Sequence, residues 1–309
     1  MASVVNSTFL VIISAEIILG SLGNGFIVLV NCINWIQKRK VSSLDQILTG
    51  LALSRIGLFW VVLINSFMLE FGPSLFVIEK VLEAVVFTWA VTNHFSIWFA
   101  TSLSIFYFLK ISNFTNSVFL YLKWRVKKVV MMVLLLTLVF LIFNVALMKM
   151  YINYWSNRLK SNMTHNSRMR NFVKFSNLFV FTNAMFTCLP FAVSLIIFLL
   201  LILSLWKHLK KVQQSAKESR DTSSKAHIKA LQTIITFLLL YAIFFLSLLV
   251  SAWSSDWVEK IQITLLCQAI GNLYPLGHSC VLILVNSKLK QTFLSVLRVR
   301  FSDGAHAGP

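Results

Sequence analysis

Seven stretches of this chain, approximately 8–35, 47–69, 84–109, 129–148, 175–206, 230–255 and 261–287, run for roughly 20 to 32 residues with few or no charges. At ~1.5 Å of rise per residue, each is long enough to cross the ~30 Å hydrocarbon core of a bilayer. Inside hydrocarbon the backbone must satisfy its own hydrogen bonds, so only helices and closed barrels can span. These runs mix Leu, Phe, Ile and Val without strict alternation, which excludes membrane β-strands. The expected fold is therefore an all-α membrane protein: one seven-helix bundle over residues 1–309, with a short cytoplasmic tail at 288–309.

Composition agrees. Of the residues, 58% are apolar and 12% are charged, whereas soluble domains carry about 25% charged residues. A soluble enzyme is excluded. The formal charge of +18, from 28 basic and 10 acidic residues, would elsewhere suggest nucleic acid. Here the basic residues sit in clusters between apolar runs, as membrane-flanking charge does, so no nucleic-acid partner is expected.

An odd number of spans puts the termini on opposite sides, and loop charge selects the orientation. With the N-terminus outside, the cytoplasmic segments 36–46, 110–128, 207–229 and 288–309 hold 19 Lys and Arg, against 8 in the outer segments 1–7, 70–83, 149–174 and 256–260. That bias favours N-outside, C-inside. The segment 149–174 runs against the trend with six basic residues. Either other loops set the topology and this one tolerates charge, or it forms a basic vestibule that attracts acidic ligands. The first apolar run is too long for a signal peptide and has no cleavage pattern, so it is expected to act as its own insertion signal. Three sequons occur, at Asn6, Asn113 and Asn162. Asn113 falls on the cytoplasmic side and Asn6 lies against the bilayer, leaving Asn162 as the expected glycosylation site.

Catalytic chemistry has no foothold. Cys32, Cys188, Cys267 and Cys280 all fall within apolar runs, so no outer-loop disulfide is expected. No CxxC, HExxH, GxSxG or phosphate-cradling glycine motif occurs. The histidines are scattered without ligand spacing on one helix, so neither a metal nor a cofactor is expected. Glu79 and Glu83 stand four apart beside Lys80, where solvated loop charge is the simplest reading.

Ionisable groups at membrane depth ask for a partner or a role, and Glu16, Arg55, His94 and His278 are the clear cases. Counted from the cytoplasmic ends at ~1.5 Å per residue, Asn24 lies about 15–17 Å deep, Arg55 about 12 Å, and His278 with Ser279 about 12–14 Å. These four can share one polar layer, as a packing network or as a switch that changes partners between two bundle arrangements. Nearer the outer side, Trp89 and Asn93 share a face of the third span. By the same count Phe186, Tyr241 and Gln268 fall at comparable depth, giving an aromatic cup with a few amides. Such a cup is either core packing or a small-molecule site. Pro190 and Pro275 each remove a backbone hydrogen bond within a span and favour kinks.

The cytoplasmic rim carries Lys110, the cluster Lys123, Arg125, Lys127 and Lys128, then Lys207, His208, Lys210 and Lys211, and finally His227 and Lys229. This charge suits anionic lipid and also the docking of an intracellular partner. Residues 213–225 read as a flexible linker.

Specific motifs then point to a family. Leu48-Thr49-Gly50-Leu51-Ala52-Leu53-Ser54-Arg55 resembles the second-span signature of the bitter taste receptors, the type 2 taste receptors. The run from Trp89 to Thr101 (WAVTNHFSIWFAT) and Phe106-Tyr107-Phe108-Leu109-Lys110-Ile111 resemble that family's third span. Further matches are Pro190-Phe191, Lys207-His208-Leu209-Lys210-Lys211, Lys225-Ala226-His227, Phe237 through Tyr241, Tyr274-Pro275 with His278-Ser279, and Lys288-Leu289-Lys290-Gln291. The similarity covers almost the whole chain and is weakest in 66–83 and 138–180. Leu276, Gly277 and Val285 depart from the family pattern, as does the neutral Gln268 where some relatives carry an acid.

The resemblance implies a plasma-membrane, multi-pass G-protein-coupled receptor for bitter small molecules, signalling through a gustducin-like G protein. It implies a ligand site around Trp89, Asn93, Tyr241 and Gln268, to which the reading of the spans adds His94 and Phe186, and a glycan at Asn162. G-protein contact falls to Tyr107, Lys110, His208, Lys210, Lys211 and His227, and the switch layer to Asn24, Arg55, Pro190, Pro275, His278 and Ser279. Membrane lipids are further partners, with a sterol as a candidate. A retinal pump is excluded because no Lys lies between Lys260 and Lys288 to form a Schiff base. A seven-span ligand-gated channel or transporter is the alternative, although neither repeats nor midplane acids support it.

Overall fold

The computed structural model describes residues 2–38, 42–71, 79–112, 114–159, 165–214, 222–253 and 257–305. Among them the chain forms helices α1 (Ala2–Lys38), α2 (Ser43–Phe71), α3 (Glu79–Ile111), α4 (Ser117–Trp124), α5 (Val126–Leu159), α6 (His165–Gln214), α7 (Thr222–Ser251), α8 (Trp257–Val285) and α9 (Ser287–Ala305), with no strand. Seven of them, all but α4 and α9, are long and apolar enough to cross a membrane. The helices overrun most of the apolar runs at one or both ends because a helix continues past the hydrocarbon into its polar flanks. The extreme is α6, whose 50 residues extend ~75 Å. At the other extreme α7 ends at Ser251, short of the run expected to reach 255.

The two short helices escape an apolar-run reading. In α4 the Asn116 carboxamide caps the first turn, accepting from the Val118 N–H at 2.8 Å. Phe119 then anchors α4 against Phe108 and Phe114, at ring separations of 5.5 and 5.2 Å. The tail forms α9, whose first turn is capped by Asn286 Oδ1, accepting from the N–H groups of Lys288 and Leu289 at 3.1 and 3.3 Å. Lys288 Nζ lies 3.2 Å from Asp45 and donates to Asn31 Oδ1 at 3.4 Å, fastening α9 to the near ends of α1 and α2.

Side chains are sorted for lipid. Met131, Met132, Leu135, Leu136, Val139, Ile142 and Phe143 are exposed at three- and four-residue spacing along α5. Asn24, Arg55, Asn93, Asn183 and His278 are buried. Lipid tails are as apolar as leucine, so close packing and interhelical hydrogen bonds must hold such a bundle. Glycine supplies the close approaches. A Cβ on Gly20 would fall 2.4 Å from the Phe59 ring, between α1 and α2, and one on Gly50 would fall 2.5 Å from the Phe99 ring, between α2 and α3. Helix α2 packs along α3, α1 against α2 and α8, α7 against α8, and α6 against α3, α5 and α7.

Candidate functional site: a cavity above a buried polar layer

At the end of the bundle that holds the α2–α3, α5–α6 and α7–α8 connections, five helices enclose a cavity of about 140 Å³. Leu58, Val62, Asn65 and Leu69 of α2 form one wall, and Leu82, Val85, Val86 and Trp89 of α3 form the next. Phe175 and Phe179 of α6, Phe244 and Leu248 of α7, and the α8 face from Lys260 to Pro275 complete it. Trp89 packs on Phe179 with ring centroids 5.5 Å apart. Gln268 is oriented by Ser66, whose hydroxyl donates to Gln268 Oε1 at 2.6 Å. The result is a mostly apolar, aromatic chamber with a small number of placed polar groups, the usual chemistry of a small-molecule pocket.

Of the six expected ligand residues, Trp89 and Gln268 line this cavity. Asn93, His94 and Phe186 do not. They line a separate space of about 20 Å³ between α3, α5 and α6, with Asn144, Asn183 and Thr187. Asn93 follows Trp89 by four residues, yet it lines the smaller space and not the cavity. Phe186 lies instead against Phe143 of α5, at 6.0 Å. Tyr241 lines neither space. It is fully buried, its ring stacked on Phe237, Phe244 and Tyr274 at 5.4, 6.1 and 5.4 Å, and its hydroxyl donates to the Thr187 carbonyl at 2.6 Å. Phe244, which does line the cavity, rests directly on it.

Two contributors were invisible in the sequence reading. The α2 wall looked like an ordinary apolar span; Asn65 and Ser66 side by side were the available signal. Lys260 falls in the expected outer segment 256–260, yet it is only 2% exposed and lines the cavity from the first turns of α8. Its Nζ donates to Asn177 Oδ1 at 2.7 Å and to the Ser251 carbonyl.

Deeper in the bundle, Asn24, Arg55, His278 and Ser279 come together. Arg55 Nη1 donates to Ser279 Oγ at 2.8 Å, and Arg55 Nη2 lies 2.6 Å from His278 Nδ1. Because a guanidinium only donates, Nδ1 is the acceptor and the imidazole proton belongs on Nε2. Ser279 Oγ in turn donates to Asn24 Oδ1 at 2.9 Å, and Asn24 Nδ2 donates to the Gly20 carbonyl at 2.8 Å. The Arg55 guanidinium also lies over the Tyr274 ring, 5.5 Å from its centroid. The layer thus joins α1, α2 and α8. Pro190 and Pro275 lie inside α6 and α8 as interruptions of their hydrogen-bond ladders. Pro275 lines the cavity, and the Pro190 carbonyl receives Thr101 Oγ1 at 3.5 Å.

At the opposite end, Tyr107 packs partly buried against the core, while Lys110 and Lys210 are exposed. Lys123 Nζ donates to the Ser112 carbonyl at 2.8 Å. Burial, and then the neighbouring Lys110 ammonium, lowers its amine below the ordinary lysine value. His208 and Lys211 belong to the last turns of α6 and His227 to the first turns of α7, but their side chains lie outside the described residues, as does Asn162 altogether. No group of three His, Cys, Asp or Glu among the described residues could hold a metal.

Comparison with known proteins adds a family to this geometry. Residues 1–300 match the family described as Taste receptor protein (TAS2R). The chain is 50% identical to human taste receptor type 2 member 14, over 100% of this chain and 98% of the relative. The corresponding protein of Pongo pygmaeus is 51% identical, over 98% of this chain and 95% of its own length. Taste receptor type 2 member 140 of Rattus norvegicus is 50% identical, over 96% and 95%.

Proposed function

Because this chain belongs to the type 2 taste receptor family, the bitter-taste branch of the G-protein-coupled receptors, we propose that its agonists bind in the cavity walled by Trp89 and Gln268. It is a multi-pass membrane receptor and not an enzyme, and its ligands are small bitter molecules. The observation that carries the site assignment is the aromatic continuity beneath the cavity. Phe244 forms part of its wall and stacks on Tyr241, whose hydroxyl reaches α6 three residues before Pro190.

An agonist acts only if it binds the signalling arrangement more tightly than the resting one. One that presses on Phe244 and Trp89 biases the Tyr241 stack. The helix interruptions at Pro190 and Pro275 then let the far ends of α6 and α7 separate. Asn93, His94 and Phe186 act beside this path, in the small α3–α5–α6 space. Asn24, Arg55, His278 and Ser279 hold α1, α2 and α8 as the frame against which the others move. The opened end receives a gustducin-like G protein through Tyr107, Lys110, His208, Lys210, Lys211 and His227.

In this reading the N-terminus faces outward, the protein resides in the plasma membrane, Asn162 carries a glycan, and the exposed apolar faces contact lipid, with a sterol as a candidate. Calcium release in cells expressing the chain with a gustducin-like G protein tests the coupling across a panel of bitter compounds. A dose-dependent response that disappears without the G protein is expected. Current that persists without it would point to a channel.

A further inference from the structure

We propose that Lys260 anchors an anionic group, so that the cavity favours aromatic carboxylates over their neutral counterparts. This rests on the cavity being the agonist site. Lys260 is the one charged side chain among the described residues lining it, and none of those residues is acidic. The ammonium is buried, and the two partners that hold it, Asn177 Oδ1 from α6 and the Ser251 carbonyl from α7, are both neutral. Two acceptors engage a group with three donors, so one N–H is left to offer. Burying a cation against neutral partners alone is costly, and a carboxylate in the same chamber offsets that cost.

A second donor is in place. Thr264 follows Lys260 by four residues and so shares its face of α8. Thr264 lines the cavity, and its hydroxyl is buried without a hydrogen-bond partner. Lys260 and Thr264 together match the two oxygens of a carboxylate. The remaining chamber suits an apolar body, since Gln268 lies ~12 Å and Pro275 ~22 Å further along α8, past Trp89, Phe179 and Phe244. Approach is favoured too. Residues 149–174 carry six basic and no acidic residues; Lys149 is paired with Glu83, and an excess of one sign raises the local concentration of the opposite one.

The test uses biphenyl-4-carboxylic acid and naphthalene-2-carboxylic acid, each beside its primary amide, in the calcium assay with surface expression measured. On the unmodified receptor each acid should be more potent than its amide by about tenfold, the scale of one charge-assisted hydrogen bond. Lys260→Met should abolish that preference, bringing each acid to the potency of its amide on the same variant, while Lys260→Arg keeps it. Should Lys260→Met fail to reach the surface, Lys260→Gln against Lys260→Arg makes the same comparison. Equal potency of acid and amide, no response to any of the four compounds, or a preference that survives Lys260→Met or Lys260→Gln would each overturn the assignment. Trp89→Ala separates the two levels. If it weakens acid and amide alike while the Lys260 variants keep the preference, only the anchor is wrong. If it leaves both unchanged, the cavity reading falls, and the anchor with it.

Discussion

The Tyr241 hydroxyl donates to the Thr187 carbonyl at 2.6 Å, tying α7 to α6 three residues before Pro190, whose ring removes a rung of the α6 ladder. One bond thus crosses to the stretch of α6 that Pro190 interrupts. Tyr241→Phe keeps the stack on Phe237, Phe244 and Tyr274 but deletes this bond, worth about 0.5–1.5 kcal/mol net. Maximal responses to chemically unrelated agonists should change in the same proportion, at near-normal surface expression. A loss confined to one agonist in dose–response measurements would instead make Tyr241 a ligand contact.

Arg55 is fully buried and satisfies acceptors on two residues of α8. Arg55→Ala leaves His278 Nδ1 unpaired, and each buried group so orphaned costs roughly 1–3 kcal/mol. Surface expression, or signalling for every agonist, should fall together. Arg55→Lys should rescue only partly, because an ammonium lacks the planar fork that reaches Ser279 and His278 at once. Flow cytometry with calcium dose–responses reads both, and an agonist-selective defect would contradict a framework role.

Two glycines of α1 give opposite expectations. Gly20→Val would drive a branched side chain into the Phe59 ring, 2.4 Å from the first added carbon, whereas Gly25 has nothing within 4 Å of that position. Overpacking of this kind costs about 1–3 kcal/mol. Thermal unfolding in detergent should therefore come earlier for Gly20→Val and be unchanged for Gly25→Ala. Equal behaviour of the two would mean α1 does not sit on α2 this closely.

Asn162 carries the expectation for orientation. Asn162→Gln should abolish the mobility shift produced by endoglycosidase on immunoblots, and Asn113→Gln should leave it intact. A shift that depends on Asn113 would reverse the topology.

The bundle was legible in the sequence because hydropathy over about twenty residues is a strong, local signal. The polar layer was legible because buried ionisable groups are few, and counting rises along three helices sets them at one depth. Helix α4 and the tail helix α9 were not, since their evidence is an Asn cap and one aromatic anchor. The site was half legible. Depth along a helix follows from counting, but azimuth does not. Phe186 and Asn93 face the small α3–α5–α6 space instead of the larger cavity. Lys260 was misjudged because a lysine near a span end reads as rim charge. In the folded bundle it is buried, with Asn177 and Ser251 accepting from its ammonium.

The most direct test of the agonist site is the potency of any activating compound on Trp89→Ala relative to the unmodified receptor, at matched surface expression. Trp89 forms a wall of the cavity and packs on Phe179, so its removal takes away a large aromatic contact. Potency should fall by at least about tenfold, or ~1.4 kcal/mol, with the receptor still at the surface. Unchanged potency at equal expression would place the agonist elsewhere in the bundle.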